Sequence, residues 1–198
     1  MKFRNGVLIS ILTGIIIGIL TVLGQGVLPG SWNSIANSGV SWLLPAYFIG
    51  AMGSTKTKSA LFSILSLLGM VVGYYGYEML IQNVPHSIYF ILVWTGAAII
   101  GGTIFGIAGY LWRSGKGLKH KIGSALIGGV FITEGLDKFI HINDYRHMLD
   151  IGVVQIAIGI VLVLVLERTN KERISSLLIA LLIVVLGIIG YQILHILT

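Results

Sequence analysis

Glu134, Asp137, Lys138 and His141 stand at i, i+3, i+4 and i+7, a spacing that puts side chains on one face of a helix. Two carboxylates, an amine and an imidazole on one face can bind a cation, relay a proton or form internal ion pairs. Asp137 and His141 supply two donors suited to a metal ion, and Glu134, Glu78 or His147 would have to supply the third. Glu78 follows Tyr74 and Tyr75 by four and three residues and shares their face. In the stretch from Gln25 to Gly39, Pro29-Gly30 marks a turn. Ser31 is a candidate cap for a short helix, in which Asn33 and Asn37 lie one turn apart beside Trp32. Glu78, Glu134, Asp137, His141, Asn33, Asn37 and Trp32 are therefore the expected ligand-binding residues.

Other chemistry finds little support. The chain has no Cys, hence no disulfide framework, thiolate nucleophile or Cys-based metal site. There is no Gly-x-Ser-x-Gly elbow for a Ser hydrolase. No glycine run has the Gly-Lys-Ser/Thr ending or preceding strand of a nucleotide loop. No catalytic residue, resident metal or cofactor is assigned.

The elements that must position these residues follow from composition. Of 198 residues, 56% are hydrophobic and 10% charged, with a mean hydropathy of +0.95, against about 25% charged in a soluble domain. About 20 apolar residues cross a bilayer as a helix. Apolar runs near 6–24, 39–55, 59–82, 88–112, 122–140, 149–166 and 174–197 predict an all-α polytopic protein. It is a single bundle of seven transmembrane helices spanning 1–198, joined by links too short to hold a domain. The first run is longer than a signal-peptide core and no Ala-x-Ala site follows, which predicts an uncleaved first helix. The fifth run is the weakest, because Glu134, Asp137 and Lys138 interrupt it.

Basic residues concentrate in cytoplasmic links. With the N-terminus cytoplasmic and the C-terminus outside, eleven Lys and Arg lie inside and only Lys138 and Arg146 outside. Glu167 and Glu172 are then the only inner acids, giving a net +9 inside. Two basic and five acidic residues leave −3 outside, together with His86, His141, His147 and His195. Topology accounts for the first sum and not for the second. Glu78, Glu134, Asp137, His141, Asp150, Gln155, Tyr191, Gln192 and His195 all map to the outer ends of spans. Ionisable groups avoid hydrocarbon and turn toward partners or a water-filled cavity, so an outward-facing polar vestibule is expected.

Small residues at Gly14/Gly18 and Gly102/Gly106, with Gly128 and Gly129, are expected to pack helices closely. Trp32, Trp42, Tyr47, Tyr89 and Phe90 near one boundary, and Tyr110 and Trp112 near the other, are expected in aromatic belts. Trp94 lies deeper and is expected in helix packing. The basic links are topogenic charges that also attract anionic lipid. Nothing supports binding to nucleic acid.

The stretch Leu28-Pro-Gly-Ser-Trp-Asn-Ser-Ile-Ala-Asn-Ser38, followed by Trp42 and Tyr74-Tyr75, resembles a family of uncharacterised bacterial multi-pass membrane proteins. The resemblance covers roughly the first 80 residues. It implies an integral protein of a bacterial cell membrane and carries no known activity. In size and plan the chain is more loosely similar to the substrate-binding subunits of energy-coupling-factor vitamin transporters, which usually have six spans. It lacks the His-xxx-His pair near the last helix of the seven-span ceramidase-like zinc hydrolases. The expected function is binding of a small polar or cationic ligand as a transporter, transporter subunit or sensor, without enzymatic activity. The alternatives are a metal-dependent intramembrane hydrolase, with Glu134, Asp137 and His141 as ligands, and an accessory protein. The expected partners are the bilayer, a small-molecule or cation ligand, and a partner membrane subunit or further copies of the chain.

Overall fold

The computed structural model describes residues 3–197, with the side chains of residue 191 and residues 193–197 left aside. The expected contributions of the Tyr191 and His195 side chains lie outside the described residues. The protein is all-α, and the chain divides into two compact units, Met1–Arg113 and Ser114–Thr198.

The first unit contains α1 (Phe3–Val27), a short 3-10 turn (Gly30–Trp32), α2 (Asn33–Ala36), α3 (Gly39–Ala51), α4 (Lys56–Leu80) and α5 (Ile88–Ser114). α1 has an inside-out pattern. Gly6, Ser10, Gly14, Gly18 and Thr21 are buried, while Leu8, Leu12, Ile16 and Leu20 are exposed. Large apolar residues face outward because lipid tails solvate them, and small residues face inward because they let backbones approach. The buried hydroxyls of Ser10 and Thr21 donate to the carbonyls of Gly6 and Ile17 one turn back, so they add no unpaired polar group to the interior.

The Gly14/Gly18 pair sits on α4. A Cβ on Gly14 would lie 3.0 Å from the Gly69 Cα, and one on Gly18 would lie 2.7 Å from the Tyr74 nitrogen. α4 answers with Gly69 and Gly73 against Ile11, Gly14 and Ile15. On α5, Gly102 meets Ile64, Gly106 meets Ser59, Ser63 and Ala60, and Gly109 meets Tyr47 and Ala51. The glycine spacing thus marks the contact seams, as expected from sequence.

Local signals set the helix ends. Ser38 caps α3 by accepting from the Ser41 N–H at 3.4 Å. Ser31, the cap expected from sequence, instead offers its carbonyl to the Ser34 hydroxyl. α3 ends at Ala51, four residues before the run read from hydropathy. The chain turns there so that Thr55 can cap α4 at Lys58, with Gly53 packed tightly on Ser59. Tyr47 is fully buried against Phe48 and Trp112 and does not serve as a belt residue.

The second unit contains α6 (Leu118–Ile140), α7 (Ile142–Tyr145), a 3-10 turn (Arg146–Met148), α8 (Leu149–Leu166) and α9 (Asn170–Leu197). α6 is its centre and packs on both α8 and α9. Gly128 and Gly135 lie against Gly159 and Gly152 of α8, and Gly129 lies against Ala180 and Ile183 of α9. α9 starts with a capping box. Thr169 Oγ1 accepts from the Glu172 N–H at 3.3 Å, and the Glu172 carboxylate accepts from the Thr169 N–H at 3.1 Å.

Among the described residues, five helical stretches are long and apolar enough to cross a membrane: Phe3–Val27, Lys56–Leu80, Ile88–Ser114, Ile142–Leu166 and Asn170–Gly190. α3 has 13 residues, and α6 carries Lys119, Lys121, Glu134, Asp137 and Lys138. Each departs from the simple apolar 20-residue span for its own reason.

Candidate functional site: an aromatic cavity and two acid clusters

In the first unit a cavity of about 340 Å³ opens between the start of α3, the last turns of α4, the α4–α5 link and the first half of α5. Its size falls in the range of small-ligand pockets. α4 contributes Leu67, Val71, Tyr74 and Tyr75, and α5 contributes Phe90, Trp94, Ala97, Ala98 and Gly101. These positions recur every three or four residues, so each helix presents one stripe. On α5 the stripe is aromatic at one end and small at the other, and Ala97, Ala98 and Gly101 leave the hollow that larger side chains would fill.

The walls are mainly aromatic. The Trp42 ring centroid lies 5.9 Å from that of Tyr74 and 6.1 Å from that of Trp94. Tyr74 and Tyr75 meet edge to face at 5.1 Å, and the His86 ring meets Tyr75 at 4.9 Å. Trp42 is held by its indole N–H, which donates to Thr21 Oγ1 at 3.1 Å. A buried Trp needs such an acceptor, and α1 supplies it. Trp42 and Trp94, read from sequence as belt and packing residues, are cavity walls.

The polar side of the site begins at Glu78. Its carboxylate meets His86 Nε2 at 2.5 Å, with the side chains 13% and 21% exposed. Tyr74, one turn before Glu78 on α4, has the Glu78 carboxylate and the Gln25 side chain as polar neighbours. Polar side chains of Gln25, Tyr74, Glu78 and His86 thus gather where α4 ends, with the Glu78–His86 pair joining α4 to the link before α5. Asn37 and Ser38 line the cavity at the start of α3. Of the residues expected from sequence, Asn37 lines the cavity, and Glu78 is not itself a lining residue but pairs with His86, which is. Asn33 and Trp32 stand on the preceding turns and are not among the lining residues. His86 was counted from sequence only as an outer histidine. Its distance of eight residues from Glu78, across a helix end, hid the pairing.

In the second unit, Glu134, Asp137, Lys138 and His141 do share the C-terminal part of α6, where they pair with one another and with Gln155 of α8 and Gln192 of α9. Glu134 Oε1 accepts from Gln155 Nε2 at 2.7 Å and lies 3.8 Å from Lys138 Nζ, which also donates to the Glu134 carbonyl at 3.2 Å. Asp137 Oδ1 is 3.0 Å from His141 Nδ1, and His141 Nε2 is 3.4 Å from Gln192 Nε2. Asp137 and Lys138 are 6% and 7% exposed. Opposite charges set side by side account for how these groups remain inside an apolar bundle. Among the described residues no three His, Asp or Glu side chains converge as a metal site would require, so Asp137 and His141 have no third donor. Asp150 accepts from the Ile151 N–H at 2.9 Å and serves the start of α8.

A further cluster of the second unit escaped sequence reasoning. The Glu167 side chain is fully buried, accepts hydrogen bonds from Ser124 and Ser176 (the latter at 2.6 Å), and lies 3.0 Å from His120 Nε2. From sequence Glu167 was simply an acid in a basic link. The only available signal was an acid directly after an uninterrupted apolar run, where a charge with no internal partner would be free to reach solvent.

No curated protein and no solved structure matches the chain. Residues 1–197 match the model of a family of unknown function, DUF6518, and the chain, with its several helices fit to span a membrane, belongs to that family.

Proposed function

We propose that this is a seven-span membrane protein that binds a small organic cation in the aromatic cavity of its first unit, as a transporter, a transporter subunit or a sensor. The observation that carries the reading is the cavity itself: Trp42, Trp94, Tyr74 and Tyr75 line a ligand-sized space, and the Glu78 carboxylate stands behind the lining residue His86. Aromatic faces attract cations through the ring quadrupole, with about 2 kcal/mol or more where water is excluded. An apolar-substituted ammonium matches both features, because its substituents fill the hollow and its charge is balanced by Glu78. An anion would meet aromatic faces and a carboxylate, both unfavourable.

Seven crossings are supported by charge. With α3 and α6 crossing, eleven Lys and Arg fall on the N-terminal side and two on the other. With only the five longer apolar stretches crossing, the split becomes five to eight and the bias is lost. α3 spans about 20 Å at 1.5 Å per residue, less than the hydrocarbon thickness. The preceding turns and α2 would complete the crossing at membrane depth, where irregular backbone is tolerated beside a cavity. The N-terminus is then cytoplasmic, and the cavity opens outward in a cell membrane.

The test is ligand binding to the full chain in lipid nanodiscs, read by tryptophan fluorescence. Choline should quench the signal, and its uncharged carbon analogue dimethylbutanol should bind at least about tenfold more weakly. Equal affinity for both would remove the cation from the reading, and no response to either would remove the ligand. Among the described residues the hydrolase reading rests on the Asp137–His141 pair.

A further inference from the structure

Glu167 takes no part in the proposed ligand site, yet it is the most completely buried acid among the described residues, with its side chain 0% exposed. It caps the end of α8, and its partners come from two other helices: His120 and Ser124 from α6, Ser176 from α9. A charge held this way is weak support for stability, since well-packed apolar residues at such positions are often as stabilising or more so. The arrangement has a second property that a simple tie between helices would not need. Ser124 Oγ has alternative acceptors in its own helix, the carbonyls of Lys121 at 3.0 Å and His120 at 3.4 Å.

We propose that Glu167, Ser124, Ser176 and His120 form a proton-binding site, with Glu167 as the acceptor and His120 as the group through which protons reach it. When Glu167 is ionised, both serine hydroxyls donate to Oε1 and the imidazole N–H donates to Oε2. A proton taken up from solvent at His120 Nδ1 lets the Nε2 proton pass to Oε2, which leaves the imidazole neutral with its hydrogen on Nδ1 and a carboxyl O–H that donates to Nε2. Ser176 keeps its donation to Oε1, and Ser124 turns its hydrogen to the Lys121 carbonyl as the charge on Oε1 falls. No polar group is left unpaired in either state. The carboxyl is sealed from solvent and the His120 side chain is 18% exposed, so the imidazole is the accessible member.

The charged groups around the site are Lys119 and Lys121 on α6, and Arg168, Lys171, Glu172 and Arg173 from the α8–α9 turn into α9. Arg173 is engaged with the Leu164 carbonyl and the Asn170 side chain, and Glu172 with Thr169. A metal cation is the competing occupant, because Glu167, two hydroxyls and helix carbonyls are all oxygen donors. The imidazole already paired with Oε2 favours the proton, since a metal ion would have to displace it.

The test is infrared difference spectroscopy of the full chain in nanodiscs, titrated across about pH 5–8. A protonated-carboxyl band should appear on acidification, vanish in Glu167→Gln and change its midpoint in His120→Gln. Should Glu167→Gln fail to fold, Ser176→Ala removes one donor to the carboxylate and should move the midpoint to higher pH while leaving the fold. The absence of any band sensitive to these variants overturns the proposal and leaves a structural tie. A midpoint that falls as sodium replaces a bulky organic cation in the buffer overturns it in favour of a metal ion site.

Discussion

The two units each pair a glutamate with a histidine across an element boundary, and they do it to different ends. In the first unit Glu78 and His86 lie beside an open aromatic cavity, and their side chains keep 13% and 21% exposure. In the second, Glu167 is sealed, and its three partners converge from α6 and α9. The neighbours make the difference. Ala97, Ala98 and Gly101 stand beside the first pair's region and leave space, whereas the second is closed by hydroxyls of just the length needed to reach the carboxylate. An acid of the same type therefore stands beside an open cavity in one setting and is closed into an internal network in the other.

The largest effect that can break this comparison lies beneath both sites, in the glycine seams. Gly18→Leu would drive a side chain into the α4 backbone near Tyr74, and Gly159→Leu into the Gly128 carbonyl on α6. Each should destabilise by about 4 kcal/mol or more, seen as loss of monodisperse protein in mild detergent. If either variant purified normally, the seam in that unit would not be what holds it together.

Next is the pair of acids themselves. Glu167→Ala leaves the Ser176 hydroxyl and the His120 imidazole without their acceptor, while Ser124 falls back on the Lys121 carbonyl, and should cost about 3 kcal/mol in denaturant unfolding. Glu78→Gln keeps a hydrogen-bonding head group beside Tyr74 and should cost only about 1 kcal/mol while weakening choline binding. Equal stability losses would erase the distinction drawn between the units. Trp94→Ala sharpens the first half of it. Trp94 is 42% exposed, so its removal should alter stability by less than about 1 kcal/mol yet lower choline affinity about tenfold in fluorescence titration. The smallest expected effect is Trp42→Phe, which keeps an aromatic wall but loses the donor to Thr21. About 1 kcal/mol of stability should go, and choline affinity should change little.

Much of this was legible in the residues. The run at 149–166 coincides with α8, and the Gly14/Gly18 and Gly102/Gly106 spacings mark true seams. The stripe of Glu134, Asp137, Lys138 and His141 lies on one helix with its own pairings, because i, i+4 neighbours meet whatever surrounds them. The end of α3 was not legible, since Met52 and Gly53 read as apolar continuation and only the packing of Gly53 on Ser59 shows the turn. The wall role of Trp42 and Trp94 was hidden as well. An aromatic residue near a membrane boundary has the same hydropathy whether it faces headgroups or a cavity, and only the rotation of α3 and α5 decides which.

The sequence by itself determined that the chain is helical, that it suits a bilayer, and that spaced glycines would let helices pack closely. Those properties are sums over many residues or depend on neighbours within one turn. Tertiary structure alone decided which partners each acid meets. Glu167 lies 47 residues from His120, 43 from Ser124 and 9 from Ser176, and a hydrogen bond forms only within about 3 Å. Which side chains come that close depends on the rotation and pairing of whole helices, a property that no local pattern carries.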